Sequence, residues 1–335
     1  MELSIASLGD FVRNAEILFM KGLDSVKMEA RNSGIFRVDN IPDHKGNTKE
    51  YSEIDLEEYA SIKSEGDQAV RARVQQGYSK VGTLYRVAKD IGITYEMRNY
   101  NKYLEVITRL TNLGQLAAKR MELDLSLRLT FATATSYISM EGATIDTTVG
   151  DTLAWASTVH TVRGSSTTFR NRLANNPVCS RGSIEGMEQM IIENSINQFG
   201  EKVMVPYDII WTTEDASTVN TVKEFLQSTA SPDALNAGVV NVYKGKYKHV
   251  ILPRVAVTAT GANDATKAKY WGLASSTNSQ AFLGINEEPH LKAQNPTGWS
   301  ADFSTEDMQF GSTAGYFICV PGARSLTIST GDGTA

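Results

Sequence analysis

The stretch Glu122–Tyr137, ELDLSLRLTFATATSY, decides how this chain is read. Leucine or phenylalanine stands at 123, 125, 127, 129 and 131, the period-two alternation of a half-buried strand. The same residues also satisfy a helical period. Upstream, along MRNYNKYLEVITRLTNLGQLAAKRMELD, Leu104, Ile107, Leu110, Leu113, Ala117 and Met121 step by three and four. Leu125, Leu129 and Ala132 continue that stripe, and Leu123, Leu127 and Phe131 form a second one beside it. Punctuation separates the two readings: between Gly114 and Gly142 no Gly, Pro or Asn offers a place for a helix to stop and a strand to begin. The pattern predicts one helix over about 99–137, bent at Gly114 and packed on two faces, with Leu110, Leu113, Met121, Leu125 and Leu129 as its core. At 1.5 Å per residue it would run roughly 60 Å.

Working outward from this helix, residues 31–97 carry thinly spread apolar side chains among charges of both signs. Glu50, Glu53, Asp55, Glu57 and Glu58 come first, then Arg71, Arg73, Lys80, Arg86 and Lys89. Composition alone permits a solvated or disordered insert. The second half, KVGTLYRVAKDIGITYEM, alternates and is rich in β-formers, so it reads as a strand, with Phe36–Val38 as its expected partner. A long two-stranded arm with an irregular tip fits both halves. Such an arm buries no core of its own, so it needs a surface elsewhere, most simply on a neighbouring subunit. The acids and bases match in number, which points to an interface of salt bridges, with Glu53, Asp55, Glu57, Glu58, Arg71, Arg73, Lys80 and Arg86 as its candidate residues. The N-terminal segment reads as a short amphipathic helix with Leu8, Phe11, Val12, Ala15, Leu18 and Phe19 on one face and Asp10 or Ser7 as its cap.

After a loop-rich stretch to about Asn176, SIEGMEQMIIENSINQFG predicts a helix capped by Ser183 and stopped by Gly200. VMVPYDIIWTT predicts a strand interrupted by Pro206, and EDASTVNTVKEFLQST a helix capped by Thr212 or Thr213. NVYKGKYKHVILPRV predicts a hairpin turning at Lys244-Gly245; KYWGLASS, AFLGINEEPHL and GYFICVPGARSLTIST predict further strands. Mixed in this way, the half reads as an α+β layer domain.

Composition excludes several classes. The 335 residues carry a formal charge of −5, with no basic cluster to grip nucleic acid. No apolar run approaches the ~20 residues of a membrane span, and the N-terminus lacks a signal-peptide layout. The two cysteines imply no disulfide, and a reducing compartment fits them better. The histidines at 44, 160, 249 and 290 have no metal-site spacing, so no metal or cofactor is expected. His160 lies near Ser157 and Asp151 but without a nucleophile turn around it, and Trp155, Trp211, Trp271 and Trp299 form no stacking platform. An enzyme reading has little to stand on.

The order of short helix, charged arm, long helix, loop-rich link and α+β half resembles tailed-bacteriophage major capsid proteins, Mu-type and related head subunits, whose shell fold is shared with encapsulins and the herpesvirus capsid floor. QGYSKVGTLYRVAKDIGITYEM looks like the return strand of the extended loop entering the spine helix. GDTLAWASTVHTVRGSSTTFRN is similar to the family's "DG-x-x-LF-x-x-x-H…G…N" stretch, although Gly150-Asp151 reverses the usual order and Leu153-Ala154 stands for Leu-Phe. GEKVMVPYDIIWTTEDASTVNTVKEFLQS resembles its strand–"P-x-x-L"–helix element. NVYKGKYKHVILPRV resembles its "N-x-Y-x-G-x-x-x-V-I-x-P" element, with Asn241, Tyr243, Gly245, Val250, Ile251 and Pro253 all in place.

The resemblance implies an α+β phage major-capsid shell fold: an N-terminal arm or helix over 1–30, an extended loop over 31–97, a spine helix of the peripheral domain over 98–139, an axial domain over 140–250, and returning strands over 251–335. It implies hexamers and pentamers of this chain closing an icosahedral shell around double-stranded DNA, without sequence-specific binding or a membrane. The implied partners are a separate scaffolding protein, a portal and a decoration protein. The implied location is the virion, after assembly in the bacterial host cytoplasm. Some relatives crosslink arm lysines to asparagines; Lys45, Lys49 and Lys63 lie in the arm here, but no partner Asn is identified and no crosslink is expected. An encapsulin-type compartment would share the fold. A monomeric α+β protein with a disordered insert is the reading from a different class.

Overall fold

The computed structural model describes residues 8–41, 46–57, 59–94, 96–97, 100, 102–229, 240–293 and 308–333. The expectations placed on Ser7, Lys45, His44, Glu58, Arg98 and Trp299 fall outside the described residues. Helix α1 covers Leu8–Asp24, and Asp10 lies within it rather than at its cap. The long helix, α2, covers Tyr103–Thr130. Along its last ten residues only Leu123 and Arg128 are even partly exposed, which is why both leucine stripes are apolar.

The helix stops seven residues before the predicted end. Phe131 donates its backbone N–H to Leu127 O and so closes the last turn without a glycine. Ser136–Ile138 is then a short strand, β5, paired antiparallel with β6, Thr144–Asp146. The Thr-rich run after Phe131 has poor helix propensity, so no Gly or Pro was required to end the helix. Gly114 lies inside the helical span and serves a contact. A Cβ there would collide with Phe19 O of α1, just as a Cβ on Gly22 would collide with Thr111 O of α2. The two helices therefore touch backbone to backbone, over a cluster of Ala15, Phe19, Val106, Leu110, Leu113 and Phe310.

Four strands form the principal sheet in the order β1 (Phe36–Asn40), β12 (Ala281–Ala293), β13 (Met308–Cys319) and β4 (Tyr85–Ile93). β1 runs parallel to β12, with Phe36 opposite Ala281, and β13 is antiparallel to both β12 and β4. The expected pairing of Phe36–Val38 with the strand entering the spine is thus corrected. The partner of β1 lies some 245 residues away, where buried Phe36 meets Trp155 edge-on at 6.0 Å. Strand β2 (Thr48–Leu56) is the true partner of β3 (Val74–Thr83).

A second, three-stranded sheet has the order β10 (Lys248–Ile251), β9 (Ile209–Thr212), β11 (Trp271–Ala274). Helix α3 (Arg181–Asn194) precedes it, capped by Ser180 in a capping box whose far member is Ser183, so the expected cap stands three residues inside. Helix α4 (Ala216–Gln227) connects β9 to β10 and is capped by Asp215, not by Thr212 or Thr213, which are both buried, Thr212 against His249 and Thr213 bonded to Tyr270 O and Ala268 O. Because β9 and β10 are parallel, NVYKGKYKHVI is no hairpin. Its motif instead finishes α4: the Asn241 amide donates to Phe225 O at 2.5 Å and Ser228 O at 3.0 Å, and Gly245, at φ +69°, donates to Leu226 O.

The main core lies where the C-terminal half of α2 meets both sheets, through Met121, Leu125, Leu129, Trp155, Leu283 and Tyr316. The predicted spine positions Leu110, Leu113, Met121, Leu125 and Leu129 are each at most 1% exposed. Buried acids on the same helix are satisfied. Glu122 accepts from Ala30 N at 2.5 Å and Arg31 N at 3.4 Å, fixing the chain between α1 and β1. Burial nevertheless pushes the Glu122 carboxyl above its ordinary range, against those two bonds.

Candidate functional site

The β2–β3 ribbon leaves the body as an arm. Its first strand alternates strictly between exposed and partly buried positions, so one face is turned to the body and the other to solvent. The ladder runs from Thr48 opposite Thr83 to Leu56 opposite Val74, with an irregularity between Ser52 and Ile54. Beyond it, residues 59–73 are exposed throughout. Apolar side chains are carried there in the open: Leu56 55%, Tyr59 69%, Ile62 101%, Val70 75% and Val74 62% exposed.

The root of the arm is held tightly. Tyr51 stacks on Phe282 at 4.3 Å and donates its hydroxyl to Asp39 at 2.7 Å, while Lys49 pairs with the same carboxylate. Burial raises the Asp39 carboxyl, but the bonds from Lys49 and Tyr51 outweigh it and the net displacement is downward. The Phe317 ring fills the space left by two glycines, Gly82 of the arm and Gly284 of β12; a Cβ at either would strike it. Glycines inside strands mark such close approaches.

The segment GDTLAWASTVHTVRGSSTTFRN folds into the other half of this anchor. Arg163 donates to Gly77 O at 2.7 Å, Thr161 and Tyr78 share a hydrogen bond of 2.8 Å, and just upstream Thr148 O accepts from Lys80. Buried His160 organises the segment. Its Nδ1 lies 2.8 Å from Asp151 Oδ2 and its Nε2 3.1 Å from Asn171 Oδ1. The Asn171 amide in turn donates to Trp155 O at 2.7 Å and Ala323 O at 3.1 Å. His160 pulls the Asp151 carboxyl below its usual range despite burial. The Ser157 hydroxyl is turned to Val159 O and not to the imidazole, so these residues form a structural network with no aligned nucleophile. Among the described residues no group of His, Cys, Asp and Glu is placed to hold a metal, and no helix is long and apolar enough to cross a membrane.

The interface candidates divide by position. Asp55 pairs with Arg324 at 3.2 Å and accepts from Gln198 N at 3.0 Å. Lys80 pairs with Asp146 at 2.9 Å and Glu57 with Arg73 at 2.6 Å across the arm. Glu53 is enclosed beside Gly77, Gln280 and Gly322. These five side chains are engaged within the chain. Arg86, 65% exposed, lies 3.4 Å from Glu287, and Arg71 stands exposed at the tip. Asp39, Arg163, Gln198 and Arg324, which hold the arm's root, were not singled out by sequence: their partners are 10 to 269 residues distant, and only Gly77 and Gly82 signalled a close approach.

No protein-family model matches the chain, and no curated protein matches it in sequence. Solved structures do match. The asymmetric unit of the bacteriophage PhiM1 mature capsid is 11% identical, with 88% of this chain and 85% of that chain covered at a TM-score of 0.50. The capsid of cyanophage P-SCSP1u is 9% identical over 88% and 85%, at 0.49. A virus-like particle from Pyrococcus furiosus is 10% identical over 95% and 98%, at 0.48. The chain has the α+β capsid-shell fold of the PhiM1 subunit.

Proposed function

We propose that this chain is a major capsid protein that assembles with copies of itself into an icosahedral shell. The observation that carries the reading is the arm: a ladder anchored to a subunit of capsid-shell fold, ending in a tip that exposes Ile62, Val70 and Tyr59, covered by none of the described residues. A soluble monomer seldom sustains such a projection, whereas a neighbouring copy would bury it. In this reading the tip lies over the adjacent subunit of a hexamer or pentamer, and Arg71, Arg73 and Arg86 are the candidate charges with exposed side chains.

The shell encloses double-stranded DNA. The net charge of −5 suits a container that must release its cargo rather than grip it. A scaffolding protein, a portal and a decoration protein are the accessory partners, the virion is the location, and the chain has no catalytic role. Sedimentation of the expressed protein before and after nuclease treatment tests the reading. Shell-sized particles that protect double-stranded DNA when recovered from infected cells support it. Particles carrying a protein cargo and no DNA would favour a compartment instead.

A further inference from the structure

The arm's root encloses an imbalance of charge. Glu53 of β2 lies in the field of two further carboxylates, Asp55 of the same strand and Asp151 of the 149–163 segment, and of one guanidinium, Arg324. Asp55 takes the direct ion pair at 3.2 Å, and Asp151 is committed to His160 at 2.8 Å. The other cation facing the cluster, Arg163, donates to Gly77 O. Glu53 is left with Gln280 and the more distant field of Arg324. It has little room to move, because a Cβ on Gly322 would collide with its Oε1 and one on Gly77 would meet its Cβ at 2.8 Å. The cavity it lines has a volume of about 10 Å³, enough for roughly one water, and Arg324 and Asp55 keep only 16% and 18% of their side chains exposed. Gln198 Oε1 and Arg324 Nε, both buried there, make no hydrogen bond among the described residues.

We propose that Glu53 is a proton-controlled latch for the arm: neutral, it lets the β2–β3 ribbon seat against residues 149–163 and 320–324, and ionised, it loosens that seat. Burial pushes the Glu53 carboxyl up to about 7; Asp55 and Asp151 add to the rise, and Arg324 and Gln280 oppose it. Between the ordinary value of 4.5 and about 7, the seated arm holds a proton that the released arm gives up to solvent. Seating therefore weakens as pH rises through that window, and the loss is complete above it. The latch concerns the subunit alone, and its failure would leave shell formation unaffected.

Hydrogen–deuterium exchange of the full chain from pH 5.5 to 8.5, corrected for the intrinsic exchange rate, tests the latch. Peptides covering 48–56 and 74–83 should lose protection on the order of tenfold or more relative to 209–212. Glu53→Gln should hold the pH 5.5 level throughout. A flat wild-type profile would overturn the proposal without reference to any variant. The same step in Glu53→Gln would overturn it too, by showing that the transition does not belong to Glu53.

Discussion

The Tyr316 hydroxyl donates to Asp124 Oδ2 at 2.6 Å, joining the centre of the principal sheet to the spine helix. Tyr85 donates to the same oxygen at 3.2 Å from the adjacent strand, and Arg120, one turn earlier on the helix, reaches both carboxylate oxygens at 3.1 Å. Asp124 is thus the point where helix, β13 and β4 share one charge. Burial, together with Tyr85 and Asp124, keeps the Tyr316 phenol protonated far above its usual range. Asp124→Ala should cost about 3 kcal/mol, because two hydroxyls lose their acceptor and Arg120 loses one of its two carboxylate partners. Tyr316→Phe should cost about 1–2 kcal/mol. Urea unfolding of the subunit measures both; equal, negligible losses would show that the sheet does not depend on this junction.

Gly114→Ala tests the contact between α1 and α2. Helix propensity alone favours alanine by about 1 kcal/mol. The collision with Phe19 O is with backbone, which cannot swing aside, so the net effect should be a loss of about 1–3 kcal/mol and early proteolysis of α1. A stabilised variant would mean that the helices separate without penalty.

Leu125 is 0% exposed in the main core. Leu125→Asp places an uncompensated carboxylate there, at a cost of roughly 4 kcal/mol or more, and should yield no soluble folded subunit. Recovery of soluble, assembling protein would remove the spine from the core.

Excising the tip separates folding from assembly. Lys49, Tyr51, Asp55, Tyr78 and Lys80 tie β2 and β3 to the body, so a cut at 40–70 would remove Tyr51 from its stack on Phe282. Replacing 58–72 by Asn-Gly spares those contacts, since Glu57 N already donates to Arg73 O at 3.2 Å. The variant should fold with unchanged circular dichroism and fail to close shells. Normal particles would refute a role for the tip.

Acid should act on the root in the opposite sense to the latch. The Asp39, Asp146 and Asp151 carboxyls all lie below the ordinary 3.8 in the folded chain, with bonds from Lys49, Thr148 and His160 outweighing burial. Their contribution is present above that value and is lost as pH falls through the depressed ones. Seating should therefore be tightest near pH 4, between the ordinary 3.8 of these aspartates and the 4.5 of Glu53, and the urea midpoint should fall as pH drops below that. Asp39→Asn should flatten part of that fall.

Much of this architecture could be read from residues that repeat. The stripe through Leu110, Leu113, Met121, Leu125 and Leu129 announced a helix wall, and the alternation of KVGTLYRVAKDIGITYEM announced the strand that leads into it, which is the end of β3 and all of β4. Local pattern failed where the deciding partner was remote. The parallel pairing of Phe36 with Ala281 has no signature in either segment. Gly114 resembled a hinge because its neighbour Phe19 lies 95 residues earlier. The helix ends at Thr130 without a glycine, because the hydroxyl-rich run after Phe131 has poor helix propensity. Glu53 was placed among interface charges by composition; only the fold shows it enclosed beside Gly322.

The most direct measurement is electron cryo-microscopy of the purified full-length chain. Closed shells are expected, in which residues 59–73 of each copy lie against the body of a neighbour, burying Ile62 and Val70. Only 36.7 kDa monomers under every assembly condition, with the tip exposed and protease-sensitive, would contradict it.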